Sequence, residues 1–223
     1  MMPPVVLFSS GLDSAVLLVD AAARAGGAQP VYVNAGLAWE TEERVMAERF
    51  LAALPPGGGI RPMVSLTVDM RDVYPPTHWA VTGVPPGFDT PDEEVYIEGR
   101  NIVLLSKTAV FAARAGLSTI LIGPLAGNPF PDASPAFFTA IARSLSIGLA
   151  APVDIEAPFL ELRKADVIRL GRTHGVPFEL TLSCMQPRNG MHCGQCSKCR
   201  ERRDAFREAG LEDHAPYANE PVR

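Results

Sequence analysis

A chain of 223 residues, 47% of them hydrophobic, with a formal charge of −5, is long enough to bury one sizeable core. Its acidity argues against a duplex nucleic-acid binder, which carries a basic surface. No apolar run approaches the roughly 20 residues that span a bilayer. The N-terminus has neither the charged region nor the cleavage signal of a secretory peptide, so a cytoplasmic protein is expected.

The stretch from Val5 to Ser14 runs four apolar residues into Ser9-Ser10-Gly11-Leu12-Asp13-Ser14. That is the pattern of a buried strand, a tight polar turn and a helix N-terminus, where unpaired N–H groups and the helix dipole favour an anion. Read without context, the same residues also fit an ordinary capped turn. A helix is expected from Ser14 to Arg24, and Gly26-Gly27 stops it. Pro30 to Val33 follows as a strand. Glu40 to Leu54 reads as a helix with Val45, Phe50 and Leu51 on its apolar side, and Arg61 to Val68 alternates as a third strand. Residues 70–94 break this rhythm with Pro, Gly, Thr and scattered aromatics (Tyr74, His78, Trp79, Phe88), and are expected to form a flap over the strand ends.

Gly99-Arg100-Asn101 then opens a helix over Ile102–Ala115. Leu117 to Gly123 is a buried strand, followed by a Pro/Gly loop to Asp132. Pro135–Leu149 is helical, Val153–Ala157 a short strand, and Glu161–His174 a helix ended by Gly175. Strands alternating with helices give an α/β fold with an open, mostly parallel five-stranded sheet. Ligands of such sheets bind beyond the carboxyl ends of the strands. The loops at 9–14, 34–40, 124–132 and 158–164 should therefore converge. The expected division is an α/β domain over residues 1–180 and a C-terminal segment and tail over 181–223.

All four cysteines lie in that segment, as Cys184-x8-Cys193-Gly-Gln-Cys196-Ser-Lys-Cys199. In a reducing compartment such a cluster points to metal. Four thiolates suit a tetrahedral structural Zn²⁺, with Gly194 turning the chain between ligands; an iron–sulfur cluster is the competing metal. A basic helix (Arg200, Arg202, Arg203, Arg207) follows, and the chain from Leu211 is expected to be an irregular tail.

Ser-Ser-Gly-Leu-Asp-Ser is similar to the Ser-Gly-Gly-x-Asp-Ser loop of the N-type ATP pyrophosphatases, with Ser10 in place of the first glycine. Together with Gly99-Arg100-Asn101, Pro131-Asp132, Lys164 in Leu-Arg-Lys-Ala-Asp, and Thr181-Leu182-Ser183-Cys184 ahead of Cys-Gly-x-Cys-x-x-Cys-x-x-Arg, it makes the chain resemble the 7-cyano-7-deazaguanine synthases of queuosine biosynthesis. The resemblance spans most of the chain. It implies an adenine-nucleotide α-hydrolase-like fold and an ATP-dependent carbon–nitrogen ligase. Such an enzyme adenylates 7-carboxy-7-deazaguanine, adds ammonia to give an amide, and dehydrates that amide to the nitrile preQ0. It further implies ATP with Mg²⁺ held by Ser9, Ser10, Gly11, Leu12, Asp13 and Ser14, with Val33, Asn34 and Gly123 around the nucleotide. Lys164, Arg100 and Asp132 are the catalytic candidates, and a homodimer is expected; Val110, Phe111, Phe137 and Phe138 fit either core or interface.

Two loops depart from the family. Asn34-Ala35-Gly36-Leu37-Ala38-Trp39 stands where Asp-Tyr-Gly-Gln-x-His is usual, and Phe130-Pro131-Asp132-Ala133-Ser134 where Tyr-Pro-Asp-Cys-Arg is usual. Both should line the acceptor side, so a different carboxylate or amide acceptor stays open. Two other readings remain. A tRNA-thiolating relative would need a catalytic cysteine outside the knuckle, and none exists. A zinc-knuckle RNA-binding module would have to overcome the overall acidity.

Overall fold

The structure is a computed structural model, and residues 2–219 are described. Five parallel strands, β1 (Val5–Leu7), β2 (Gln29–Asn34), β3 (Val64–Thr67), β4 (Thr119–Leu121) and β5 (Asp154–Glu156), form one sheet in the order β3-β2-β1-β4-β5. Val5 is in register with Gln29 on one side and Ile120 on the other. The chain moves outward from β1 through β2 and β3, then returns to place β4 on the other side of β1. The order therefore reverses between β1 and β4, the point where such sheets open a crevice.

Helices α1 (Leu12–Ala25), α2 (Glu40–Ala53), α3 (Trp79–Thr82), α4 (Arg100–Arg114), α5 (Pro135–Leu149), α6 (Lys164–Thr173) and α7 (Ser197–Ala209) complete the chain. Successive strand residues point to opposite faces. Val6 and Leu121 enter one core, with Leu17 and Leu18 of α1 and Ile168 of α6; Val5 and Ile120 enter the other, with Leu105 of α4 and Phe138 of α5. Ala205 and Phe206 of α7 lie in the first of these cores, so the C-terminal helix packs as part of the body.

Most element boundaries expected from sequence agree to within three residues. Val45, expected on the apolar side of α2, is 47% exposed, and Phe50 carries that contact instead. The flap holds the single-turn α3 and a 3-10 turn at Asp92–Val95. Trp79 of α3 stacks on Trp39 at 5.5 Å between ring centroids, which docks the flap on the loop after β2.

The tail is less irregular than expected. Over 211–219 it has no helix or strand, but Asp213 takes both Arg202 Nε and Nη2, at 2.8 and 2.9 Å. His192 donates its amide to the Pro216 carbonyl, and Asn219 Nδ2 donates to the Cys193 carbonyl. Backbone of the cysteine knuckle and the Arg202 side chain thus hold 211–219 in place. Residues 220–223 lie outside the described residues.

Candidate active site and metal knuckle

The sheet reversal opens a cavity of about 630 Å³. Ser9, Gly11, Leu12, Asp13 and Ser14 form its floor; Gly123 to Phe130 form one wall, and Trp79 and Asp92 of the flap, with Val95 and Ile97 just after it, form its cover. Lys164, Arg100, Val33 and Gly123 line it too, as do Tyr32, Glu43, Lys198 and Glu201.

The floor is laced by its own hydroxyls. Ser14 Oγ accepts from the Ser9 amide at 3.2 Å and donates to the Gly11 carbonyl at 3.0 Å. Leu12 N–H, one of the first-turn donors of α1, goes to Ser183 Oγ at 3.1 Å. Gly11 caps the helix without a side chain, and this leaves the cavity face of the turn open to a ligand.

Ser10 is not on that face. It is fully buried at φ +59°, and its Oγ donates to the Glu43 carbonyl at 3.1 Å. A left-handed conformation is unusual for a residue with a Cβ, and the hydroxyl bond offsets part of its cost. Asn34 also lies outside the cavity lining; its Oδ1 accepts from the Gly36 amide. Asp132 is buried behind the wall, where its carboxylate caps α4 by accepting the Asn101 amide at 3.0 Å. Burial raises its pKa, while the Asn101 amide works against the rise. Asp132 therefore fixes the Gly-Arg-Asn turn instead of facing a ligand. Among the described residues Arg100 has no carboxylate within ion-pair distance, and its Nε has no partner. Its guanidinium is free to take an anion.

Lys164 begins α6 and is only 12% exposed. Its Nζ sits 3.2 Å from Asp13 and 2.6 Å from Glu201. Burial works against the ammonium, but these two carboxylates outweigh it and hold the pKa above the ordinary range. One oxygen of Asp13 is buried without a partner, and burial raises this carboxyl's pKa against the pull of Lys164.

Glu40 and Glu43 are sites that sequence reasoning missed. Glu40 accepts the amides of Ala35, Gly36 and Leu37 at 2.8 to 3.0 Å, so the altered 34–39 loop closes on its own backbone. Glu43 faces the cavity and accepts Tyr32 Oη at 3.0 Å. Burial pushes its pKa up to about 8, against the pull of Arg100. The signal in the sequence was a run of acidic residues at a helix start, which reads equally well as a solvated first turn.

The four cysteine sulfurs lie within 4.8 Å of one another, with Cys193 to Cys199 at 3.8 Å and Cys196 to Cys199 at 3.5 Å. A tetrahedral ion about 2.3 Å from each sulfur sets them about 3.8 Å apart, so the donor set could hold a metal ion. Amides of Cys193 and Gln186 point at Cys184 Sγ, and that of Gln195 at Cys193 Sγ, an arrangement that favours thiolate. Gly194 turns at φ +81°, and a Cβ there would strike the Asn219 carbonyl at 2.5 Å.

The basic helix is committed internally. Arg202 is fully buried against Asp213, Thr181 Oγ1 and the Phe178 carbonyl. Arg203 lies over the Tyr217 ring and reaches the Gly194 carbonyl. Few of its charges remain for RNA.

The pattern of the family described as queuosine biosynthesis protein QueC matches residues 4–210. A 7-cyano-7-deazaguanine synthase of Anaeromyxobacter dehalogenans is 35% identical over 96% of this chain and 95% of its own length. The synthase of Paramagnetospirillum magneticum is 32% identical over 98% and 100%, and that of Geobacter sulfurreducens 34% over 96% and 92%. Among solved structures, an NMN synthetase from Francisella tularensis is similar at TM-score 0.41 and 15% identity, over 94% of this chain and 78% of that one. A predicted subunit of tRNA methyltransferase from Methanocaldococcus jannaschii is similar at 0.43 and 15%, over 77% and 75%. The phosphate-sized loop at the sheet reversal, the four-cysteine knuckle behind it, and a family match over nearly the whole chain place this protein in the QueC family of queuosine biosynthesis proteins.

Proposed function

We propose that this chain is a 7-cyano-7-deazaguanine synthase that activates its substrate with ATP. The observation that carries the reading is the cavity itself, which the Ser9–Ser14 loop lines together with Lys164 and Arg100. Hydroxyls and first-turn amides of the loop would hold phosphate oxygens. Mg²⁺ arriving with the nucleotide would neutralise charge on the polyphosphate, and the partnerless oxygen of Asp13 is an acceptor suited to it. Substrate carboxylate attacks the α-phosphorus, pyrophosphate leaves, and the acyl adenylate forms. Ammonia displaces AMP to give the amide. The amide oxygen then attacks the α-phosphorus of a second ATP, pyrophosphate and one amide proton leave, and loss of AMP with the second proton gives the nitrile. Lys164, fixed as a cation, stabilises the charge that grows on the transferred phosphoryl group. Arg100 holds the carboxylate in its planar fork.

A structural Zn²⁺ in the cysteine knuckle fits the sulfur spacing and the short first turn of α7. Among the described residues no helix is long and apolar enough to cross a membrane, which accords with a cytoplasmic enzyme. Val110 is exposed, Phe111 and Phe137 are half-buried and Phe138 is core, so of the candidate interface residues Val110 is the most available to a second copy.

Purified protein incubated with ATP, Mg²⁺, ammonia and 7-carboxy-7-deazaguanine should release AMP and pyrophosphate and yield the amide and then the nitrile. AMP release without either product would assign the chain to another acceptor. The hydrophobic closure of the 34–39 loop, with Ala35, Leu37 and Trp39 all buried, is the feature that favours this second outcome.

A further inference from the structure

The cysteine knuckle does more than close the C-terminus. Cys196 is the N-cap of α7 and Cys199 lies in its first turn, so the four sulfurs fix where that turn points. It points into the cavity, which Lys198 and Glu201 both line. Glu201 is shared between two ammonium groups, with one oxygen 2.6 Å from Lys164 Nζ and the other 2.9 Å from Lys198 Nζ. Lys198 also reaches Asp92 of the flap at 3.2 Å. A continuous line of alternating charge thus runs from the loop through Asp13, Lys164, Glu201 and Lys198 to Asp92.

We infer that Lys198 is a second pyrophosphate-binding cation, and that Glu201 is a positioning residue holding Lys198 and Lys164 on the same wall of the site. This rests on the reading of the cavity as an ATP site. Three features support it. Of the three lysines in the chain, two are brought to this one cavity wall. The bond from Lys198 on α7 to Asp92, which sits on a single 3-10 turn, is a partly exposed pair, and such a pair is weak and readily exchanged for a phosphate oxygen. Lys164, by contrast, is locked between two less exposed carboxylates and keeps its place when a ligand enters. Three carboxylates against two ammoniums leave the wall with one negative charge, so the polyphosphate enters as its magnesium complex.

The test is calorimetric binding of two probes, inorganic pyrophosphate with Mg²⁺ and AMP, to the full chain with its metal. Lys198→Ala should weaken pyrophosphate about tenfold, in line with the loss of a charge-assisted hydrogen bond, and leave AMP within twofold of the unaltered protein. Lys198→Arg keeps the cation and should restore most of the pyrophosphate affinity. Glu201→Gln should weaken pyrophosphate severalfold with AMP again unchanged. Pyrophosphate affinity within twofold in Lys198→Ala would overturn the inference, as would an equal loss for both probes, which would mark general damage to the fold. Failure of the unaltered protein to bind pyrophosphate would overturn the ATP reading itself.

Discussion

The two ends of the cavity are built differently. The end proposed to hold phosphate is made of backbone and hydroxyl groups of Ser9, Gly11, Leu12, Asp13 and Ser14, plus Lys164. The end proposed to hold the acceptor is assembled from segments far apart in sequence: Tyr32 on β2, Trp39 and Glu43 about α2, Trp79 on the flap, Arg100 on α4 and Phe130 beyond β4. The first depends on one local turn and tolerates little change. The second depends on side chains from a strand, three helices and two loops, and the loops around Trp39 and Phe130 are where the sequence is expected to differ from the family pattern. On the proposed reading, a fold built this way could keep how it activates a substrate even where the residues that read the substrate change.

Four experiments break or sharpen that contrast. The largest effect is expected at the phosphate end. Lys164→Ala removes a buried cation from between Asp13 and Glu201, and kcat for AMP release should fall about 10²- to 10³-fold. A loss below tenfold would move the stabilising charge elsewhere, to Arg100 or to the nucleotide's own metal. Next comes the knuckle that supports this end. Cys193→Ser, or removal of the metal by a chelator, should lower the melting temperature by roughly 10 °C, because a structural site contributes several kcal/mol to folding. It should also weaken pyrophosphate binding, since α7 loses its anchor.

Glu43 gives an intermediate effect, read as pH dependence. Its pKa is raised in the fold to about 8, so its contribution to stability is present in full below about pH 4.3, the ordinary value for Glu. That contribution is lost as pH rises through the folded value. Glu43→Gln keeps an acceptor for Tyr32 and removes the titration. The variant should gain on the unaltered protein between pH 5 and pH 8.5, by about 1–3 kcal/mol in denaturant unfolding. A constant difference across that range would show that Glu43 is ionised throughout. The smallest effect is expected at the flap. Trp79→Ala deletes the ring stacked on Trp39, worth about 1 kcal/mol. The KM of the acceptor should rise about fivefold and that of ATP should hold. Equal changes in both would mean that the flap serves the two ends together.

Much of the fold was legible because it follows from local pattern. The run from Val5 to Phe8, the glycines at 26 and 27, and the apolar stretch before Gly123 each mark an element with its boundary, and parallel pairing follows from strand–helix alternation. The cysteine spacing announced its cluster in the same way. The misses share one cause. Ser10 reads as part of a phosphate loop, yet its side chain turns away because the loop needs φ +59° there. Asp132 reads as a site carboxylate and is a helix cap. Arg202 reads as one charge of a basic surface and is fully buried, because Asp213, eleven residues on, comes back to meet it. In each case the partner is distant in sequence, and its position is set by packing that no short pattern encodes.

The sequence by itself determined the order of strands and helices, the anion-ready loop after the first strand and the four thiols of the knuckle. These depend on backbone geometry and residue spacing within a few positions, which side-chain periodicity reports directly. Only the tertiary structure decided which charges meet. Lys164 came to lie between Asp13 and Glu201, Lys198 came to share Glu201 with it, and Glu43 and Arg100 came to line the same cavity. Side chains more than thirty residues apart are brought within ion-pair reach only when burial of the two cores closes the sheet, because hydrophobic burial supplies the free energy that such desolvated charges cost.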